Sequence, residues 1–366
     1  MGLRKLLASV LLVSGLTLFG GAVVVAVDGF SATALDGPAL GGSEVQVSTP
    51  PETANPINTN PINTGKVEAV WRAWMEQHAV TQSSLAIGRK GAILHSAAQK
   101  RRPDTAYPVA SLSKAITGMC LNQLLTDGPY SWSSTLADLA PEFAKMNFTP
   151  ARQMADVTLT QIATHTSGLP KTLNYGKMST HAVNLSSQPT MARAALKEPS
   201  NFGPRGSYVY SNANYAILGF LIEAMTGEPY SEYCNDRIMA PAGAPQAVVA
   251  GRMSYTAGYG GWLVSAEDYA RFAMYWFNPA QPWMQTPARF GYDKGAHYGM
   301  GTYVYPTQAG TFVSHTGRWT HKDPRKHNIG ALFFVRADGL TVVVNWDGSL
   351  DWALYKQLHQ DLRDAL

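Results

Sequence analysis

Segments that read as β-strands lie at the two ends of this chain, and a long helical stretch separates them. Ser84–Gly88 and Ala92–Ser96 are apolar runs around Arg89-Lys90-Gly91 and predict a hairpin. Far downstream, Thr311–His315, Ile329–Val335 and Leu340–Asn345 predict three more strands, the last two joined at Asp338-Gly339, a favoured hairpin turn. An isolated hairpin is marginal in water. The two ends must therefore meet in one antiparallel sheet, with residues 111–280 as a mostly helical insertion. This is an α+β fold, and a junction between two such parts is where binding sites commonly form.

Helical periodicity closes both flanks of the sheet. Lys66–Ala79 repeats Val67, Val70, Trp71 and Trp74 on one face, and Trp352–Leu366 is amphipathic. Within the insertion, Thr158 followed by Gln161 forms a capping-box pattern, and Ser265 before Asp268 gives another helix start. A third helix runs from Asn214 to Thr226 and stops at Gly227, a residue suited to a left-handed cap.

The first 64 residues differ in kind. Arg4 and Lys5 precede an uncharged run, Leu6–Val27, and Ala32-Thr33-Ala34 offers a small-residue cleavage site. At 22 residues the run is also long enough to span a bilayer. Residues 1–34 are thus expected to be a signal peptide or an N-terminal membrane anchor, and the protein to be exported, periplasmic or held at the inner membrane facing the periplasm. Residues 35–64 are rich in Pro, Gly, Ser, Thr and Asn and carry the pentapeptide Asn-Pro-Ile-Asn-Thr twice, at Asn55 and Asn60. That composition predicts a flexible linker, followed by a folded domain over residues 65–366.

In an oxidising compartment the two cysteines, Cys120 and Cys234, could form a disulfide. Cys120 falls on an apolar helical face, however, and buried free thiols are the reading favoured here.

Composition narrows the function classes. With 45% hydrophobic and 15% charged residues the chain is an ordinary folded one, and its net charge of +4 comes from scattered residues apart from Lys100-Arg101-Arg102 and the stretch 321–327. No basic stripe or nucleic-acid module is present, so no nucleic-acid partner is expected. The sequence has no Gly-x-Ser-x-Gly, His-Glu-x-x-His, P-loop or Gly-x-Gly-x-x-Gly pattern, and its nine histidines lack zinc spacing. No metal or cofactor is expected.

What remains is Val-Ala-Ser-Leu-Ser-Lys, residues 109–114. Ser111 and Lys114 stand three apart and share a face of a helix starting near Leu112, whereas Ser113 points elsewhere. A serine hydroxyl needs a base to become a nucleophile, and lysine can be that base once burial lowers its pKa. Ser-x-x-Lys alone is unspecific. A second element, Tyr210-Ser211-Asn212, precedes a helix and offers a proton carrier and an amide; Tyr233-Cys234-Asn235 is a rival copy. A third, Ser314-His315-Thr316-Gly317, ends a predicted strand, with Thr316 and Arg318 on one face and His315 and Gly317 on the other.

In this order the three elements resemble the serine penicillin-recognising family: class C β-lactamases, low-molecular-weight penicillin-binding proteins, and related esterases and D-aminopeptidases. Similar to that family are also His165–Pro170 (HTSGLP), Tyr210–Tyr230, Gly260–Phe272 and Val342–Asn345, so the resemblance covers residues 66–366. It implies a β-lactamase/penicillin-binding-protein-like fold and selects Tyr210 over Tyr233. It further implies Ser111 as the acylated nucleophile, Lys114 as its base, Tyr210 as proton shuttle and Asn212 as a substrate-amide ligand. Backbone N–H groups of Ser111 and Arg318 would form the oxyanion hole, and His315, Thr316 and Gly317 would line the substrate.

The expected activity is serine hydrolysis of an ester or amide in a small molecule or peptide. A D-Ala-D-Ala carboxypeptidase or a penicillin-binding sensor with little turnover is the alternative. Histidine at 315, where many relatives have lysine, predicts weak or absent β-lactamase activity, and the Arg318 guanidinium is a candidate ligand for a substrate carboxylate.

Overall fold

The computed structural model describes residues 62–171, 189–197, 202–249, 253, 256–278, 281, 290–291, 295–320, 328–348 and 350–366. The expected leader over 1–34, nearly all of the expected linker, and the basic stretch 321–327 lie outside the described residues.

Helix α1 (Thr64–Gln77) begins where Asn63 accepts a hydrogen bond from the Lys66 N–H at 3.0 Å, so the folded domain starts inside the expected linker boundary. It leads into strands β1 (Ser83–Arg89) and β2 (Ala92–Gln99), then the short β3 (Tyr107–Pro108). The insertion holds α2 (Ser113–Asp127), α3 (Ala140–Lys145), α4 (Leu159–Ala163), α5 (Pro189–Lys197), α6 (Asn212–Thr226) and α7 (Tyr230–Cys234). Strand β4 (Leu263–Val264), which pairs with β3, and helix α8 (Ala266–Trp276) complete it. The chain then returns through β5 (Phe290–Gly291), β6 (His297–Gly299), β7 (Thr302–Thr307), β8 (Gly310–Trp319), β9 (Ile329–Val335), β10 (Thr341–Asp347) and α9 (Trp352–Asp364).

The sheet order is β2-β1-β10-β9-β8-β7-β6-β5, antiparallel throughout. The chain ends meet as expected: Ser83 pairs with Trp346 and Gly88 with Thr341. Strands β1, β9 and β10 are almost wholly buried because helices cover both faces. Phe333 packs on Tyr269 of α8 while its neighbour Phe334 packs on His359 of α9, so those two helices lie on opposite faces.

Local helix signals act as the sequence implies. Thr158 and Gln161 close a full capping box, Ser265 accepts from the Asp268 N–H, and Gly227 takes a left-handed cap at φ 74°. Two expectations are corrected. Strand β8 does not end at the Ser-His-Thr-Gly motif but runs on to Trp319, held by β9 from Val313 to Trp319. Cys120 and Cys234 are disulfide-bonded rather than free, with Cα atoms 5.5 Å apart, because α7 crosses the apolar face of α2 at that position.

Candidate active site

Ser111 sits in a single 3₁₀ turn, Ala110–Leu112, that runs directly into α2. Ala110 before it has φ +47°, a left-handed conformation costly for a residue with a Cβ. The surroundings fix that turn on every side. The Val109 N–H donates to Trp262 O at 3.1 Å, the Trp262 N–H donates to Ser113 Oγ at 3.1 Å, and Tyr269 Oη donates to Leu112 O at 2.9 Å. Ser113 is thus a buried structural acceptor, and Ser111 is the half-buried serine that faces Lys114.

Lys114 is completely buried, and its Nζ lies 3.1 Å from Ser111 Oγ and 2.8 Å from Tyr259 O. Burial alone holds its pKa well below the usual lysine range, because no carboxylate pairs with it among the described residues. The backbone packs tightly around it: a Cβ on Gly301 would lie 2.2 Å from Lys114 C and O, and one on Gly118 would lie 2.6 Å from Met300 C. Glycines at these two places let α2 lie against the β6–β7 turn.

Tyr210 reaches the pair from the loop before α6. Lys114 Nζ stands 5.0 Å from its ring centre, and the Tyr298 ring meets it edge-on at 6.0 Å. Its surroundings push the phenol above its ordinary pKa, so it is protonated at neutral pH. The HTSGLP segment delivers this loop. Its His165, at φ +58°, accepts from the Ser211 N–H (3.2 Å) through Nδ1, which also lies 3.0 Å from Asn214 Nδ2; Ser167 Oγ donates to Asn214 Oδ1 at 2.7 Å. The Val209 N–H donates to His165 O at 2.8 Å, and the Tyr210 ring lies 4.5 Å from the His165 ring. Asn212 opens α6, and its Oδ1 is buried without a hydrogen-bond partner. The rival Tyr233 is placed elsewhere: its neighbour Cys234 is tied to Cys120, six residues or about 9 Å further along α2 than Lys114.

On β8, His315 and Gly317 face the side of the sheet that holds Ser111 and Lys114. A Cβ on Gly317 would meet Val109 O at 2.3 Å and Ala110 Cβ at 3.2 Å, so this glycine admits the Ser111 turn itself. His315 is buried; its Nδ1 donates to Thr316 O at 2.6 Å, and its Nε2 lies 3.2 Å from Tyr298 Oη. Burial and the nearby Lys114 push it down to about 3, so it is a neutral wall.

Thr316 and Arg318 point to the other face, in register with Leu332 and Gly330. The Arg318 guanidinium lies 5.4 Å from the Trp352 ring centre, against α9, and its Nε donates to Thr320 Oγ1 at 3.0 Å. This corrects the expectation that it binds a substrate carboxylate beside Ser111; only its backbone is placed near the site. Strand β7 stops pairing at Ser314, which leaves the β7-facing edge of residues 315–319 outside the β7–β8 ladder.

Sequence reasoning passed over Tyr298, fully buried, whose hydroxyl lies 3.2 Å from His315 Nε2 and whose ring meets those of Tyr210 and Tyr303 edge-on. Its strand is three residues long, and no local pattern marks it.

A buried lysine against a serine, set where helices meet an antiparallel sheet, defines the serine-hydrolase class of scaffold. The Beta-lactamase family model matches residues 67–351, and the chain belongs to that family. Among curated proteins, Protein flp of Staphylococcus aureus (strain MW2) is 30% identical over 142 residues, 39% of this chain and 28% of that protein. The chain therefore matches little more than a quarter of that relative's length. Among solved structures, the octameric penicillin-binding protein homologue from Pyrococcus abyssi aligns with a TM-score of 0.64 at 20% identity, covering 82% of this chain and 76% of that one. The Beta-Lactamase/D-Alanine Carboxypeptidase from Pseudomonas syringae aligns at 0.65 and 16%, covering 82% and 98%. The serine β-lactamase fold is thus shared at low identity.

Proposed function

We propose that the protein is an exported serine hydrolase that cleaves an ester or amide through an acyl-enzyme on Ser111. The observation that carries this is the 3.1 Å contact between Ser111 Oγ and a lysine amine whose pKa burial holds well below the usual lysine range. Lys114 takes the Ser111 proton as Oγ attacks the substrate carbonyl carbon. The oxyanion is held by the N–H groups of Ser111 and Arg318, each such donor being worth about 3 kcal/mol. Tyr210, whose ring centre lies 5.0 Å from Lys114 Nζ, returns the proton to the leaving oxygen or nitrogen as its bond to carbon breaks. Water then attacks the acyl group and frees Ser111. The orphan Oδ1 of Asn212 gains a partner when it accepts from a substrate N–H.

The neutral His315 argues for acyl donors that carry no carboxylate at this wall, and against efficient β-lactam turnover. A D-Ala-releasing or penicillin-sensing role is the second reading, supported by the name of the Pseudomonas syringae neighbour. The Cys120–Cys234 bond supports export, since disulfides persist in oxidising compartments. Intact-mass measurement after exposure to a phenyl ester or to benzylpenicillin, with Ser111→Ala alongside, tests the assignment. An ester-derived adduct on Ser111 with turnover fits the first reading, and a lasting penicillin adduct fits the second. Ser111-independent behaviour with both compounds would remove the two together.

A further inference from the structure

Lys114 Nζ makes a second contact that the proposed chemistry leaves unused, with Tyr259 O at 2.8 Å. A carbonyl oxygen only accepts, so an N–H of the unprotonated amine goes there. The lone pair of the tetrahedral nitrogen is then free to turn toward Ser111 Oγ, 3.1 Å away. Once the amine has taken the Ser111 proton, the same carbonyl faces an ammonium, and a hydrogen bond from a charged donor is roughly twice as strong. The backbone around Tyr259 is pinned from two sides. From the helix side, Thr117 Oγ1 of α2 donates to Gly258 O at 2.7 Å, and within the loop the Gly260 N–H donates to Thr256 O at 2.7 Å. From the sheet side, Trp319 Nε1 donates to Gly260 O at 3.2 Å, and a Cβ on Gly260 would lie 2.8 Å from Trp319 Cζ2. The indole thus lies directly on the residue that follows the Tyr259 carbonyl. Trp319 shares its face of β8 with His315 and Gly317 and pairs with Ile329 of β9, so the strand that lines the site also reaches the base.

We propose that Trp319 is a positioning residue for the base: by holding Gly260 it keeps the Tyr259 carbonyl on the Lys114 amine, which aims the lysine lone pair at Ser111 and then stabilises the ammonium that attack creates. On attack the Ser111 proton passes to Nζ while the Oγ electron pair forms the bond to the substrate carbonyl carbon. The role rests on the hydrolase reading above. The titratable rings facing Nζ are those of Tyr210, Tyr215 and Tyr259, at 5.0, 5.9 and 5.7 Å, with His165 from the segment after α4 and His315 from β8. Burial holds both histidines below their ordinary range and raises the phenols of Tyr210 and Tyr215 above theirs. The acid limb of a pH–rate profile around neutrality therefore belongs to Lys114.

That limb is the test. The full chain is assayed on an activated phenyl ester, and kcat/KM is followed against pH for the wild type and for Trp319→Phe, which keeps an aromatic ring beside Gly260 and removes the N–H. A hydrogen bond to the charged form raises an amine's pKa, so loosening the Tyr259 carbonyl lowers it. The acid limb should move down by about half a pH unit while the plateau falls by up to about tenfold. A merely structural role would lower the plateau and leave the limb in place. Gly260→Ala presses on the same contact from the loop side and should move the limb in the same direction, which keeps the test decisive if Trp319→Phe folds poorly. An unmoved limb in either folded variant overturns the proposal. Absence of Ser111-dependent hydrolysis in the wild type would sink the hydrolase reading, whereas an active wild type with the limb unmoved in a folded variant sinks this proposal alone.

Discussion

Replacing Gly317 with alanine puts one methyl group between the strand that lines the site and the turn that carries Ser111. The added Cβ would lie 2.3 Å from Val109 O and 3.2 Å from both Ala110 Cβ and Leu112 Cδ1. A carbon–oxygen contact normally settles at about 3.3–3.6 Å, so one side must retreat by about 1 Å. Strand β8 is held by β9 on either side of residue 317, and Val109 by Trp262 O and the Leu112 N–H, so neither yields freely. Overpacking of this kind costs about 1–3 kcal/mol. The larger effect is on chemistry, since a 1 Å displacement of a reacting group can cost about 10²-fold in rate. Stopped-flow acylation by an activated ester, with thermal melting as a fold check, measures both. Gly317→Ala should stay folded, melt a few degrees lower and acylate about a hundredfold more slowly. Acylation indistinguishable from wild type would show that the Ser111 turn is not clamped by β8, and would refute the argument.

Ser113→Ala should lose about 1 kcal/mol by freeing the Trp262 N–H, yet still form the Ser111 adduct by intact mass. Replacing both Cys120 and Cys234 by serine should lower stability in urea denaturation by up to about 5 kcal/mol, the chain-entropy figure for a loop closed across a separation of 114 residues. His315 is held at about 3 when folded, against about 6.5 in the unfolded chain, so the unfolded state binds more protons between those values and stability should fall as pH drops through that window. His315→Gln should flatten that part of the stability–pH curve. Arg318→Ala should cost about 0.5–1 kcal/mol from its Trp352 contact and leave the kcat/KM ratio of anionic to neutral esters unchanged.

What the sequence disclosed, it disclosed through local patterns. Thr158 with Gln161, Ser265 before Asp268 and Gly227 each act within one helical turn, so the chain around them is sufficient to read them. That both chain ends share one sheet was legible because each carries apolar strand runs that need cover, whereas the pairing of β1 with β10 was not. Strands β5 to β7 were missed, since the first two are two and three residues long and Pro306 interrupts the alternation of the third. The meeting of Ser111, Lys114 and Tyr210 was readable only through motif order. The disulfide, the outward turn of Arg318 and the Tyr298 contacts all depend on which face of which element meets another, and no short window contains that.

The sheet that joins β1 to the distant β10 also sets the order of folding. Ser83 on the first long strand finds its partner at Trp346, close to the far end of the chain. Contacts of such sequence separation carry a high loop-closure cost and form late. A nascent chain must emerge through β10 before β1 can dock, so the polypeptide stays open until that strand is made. Until β10 arrives, the edge of β1 that it will cover stays unpaired and is the surface a chaperone would have to guard.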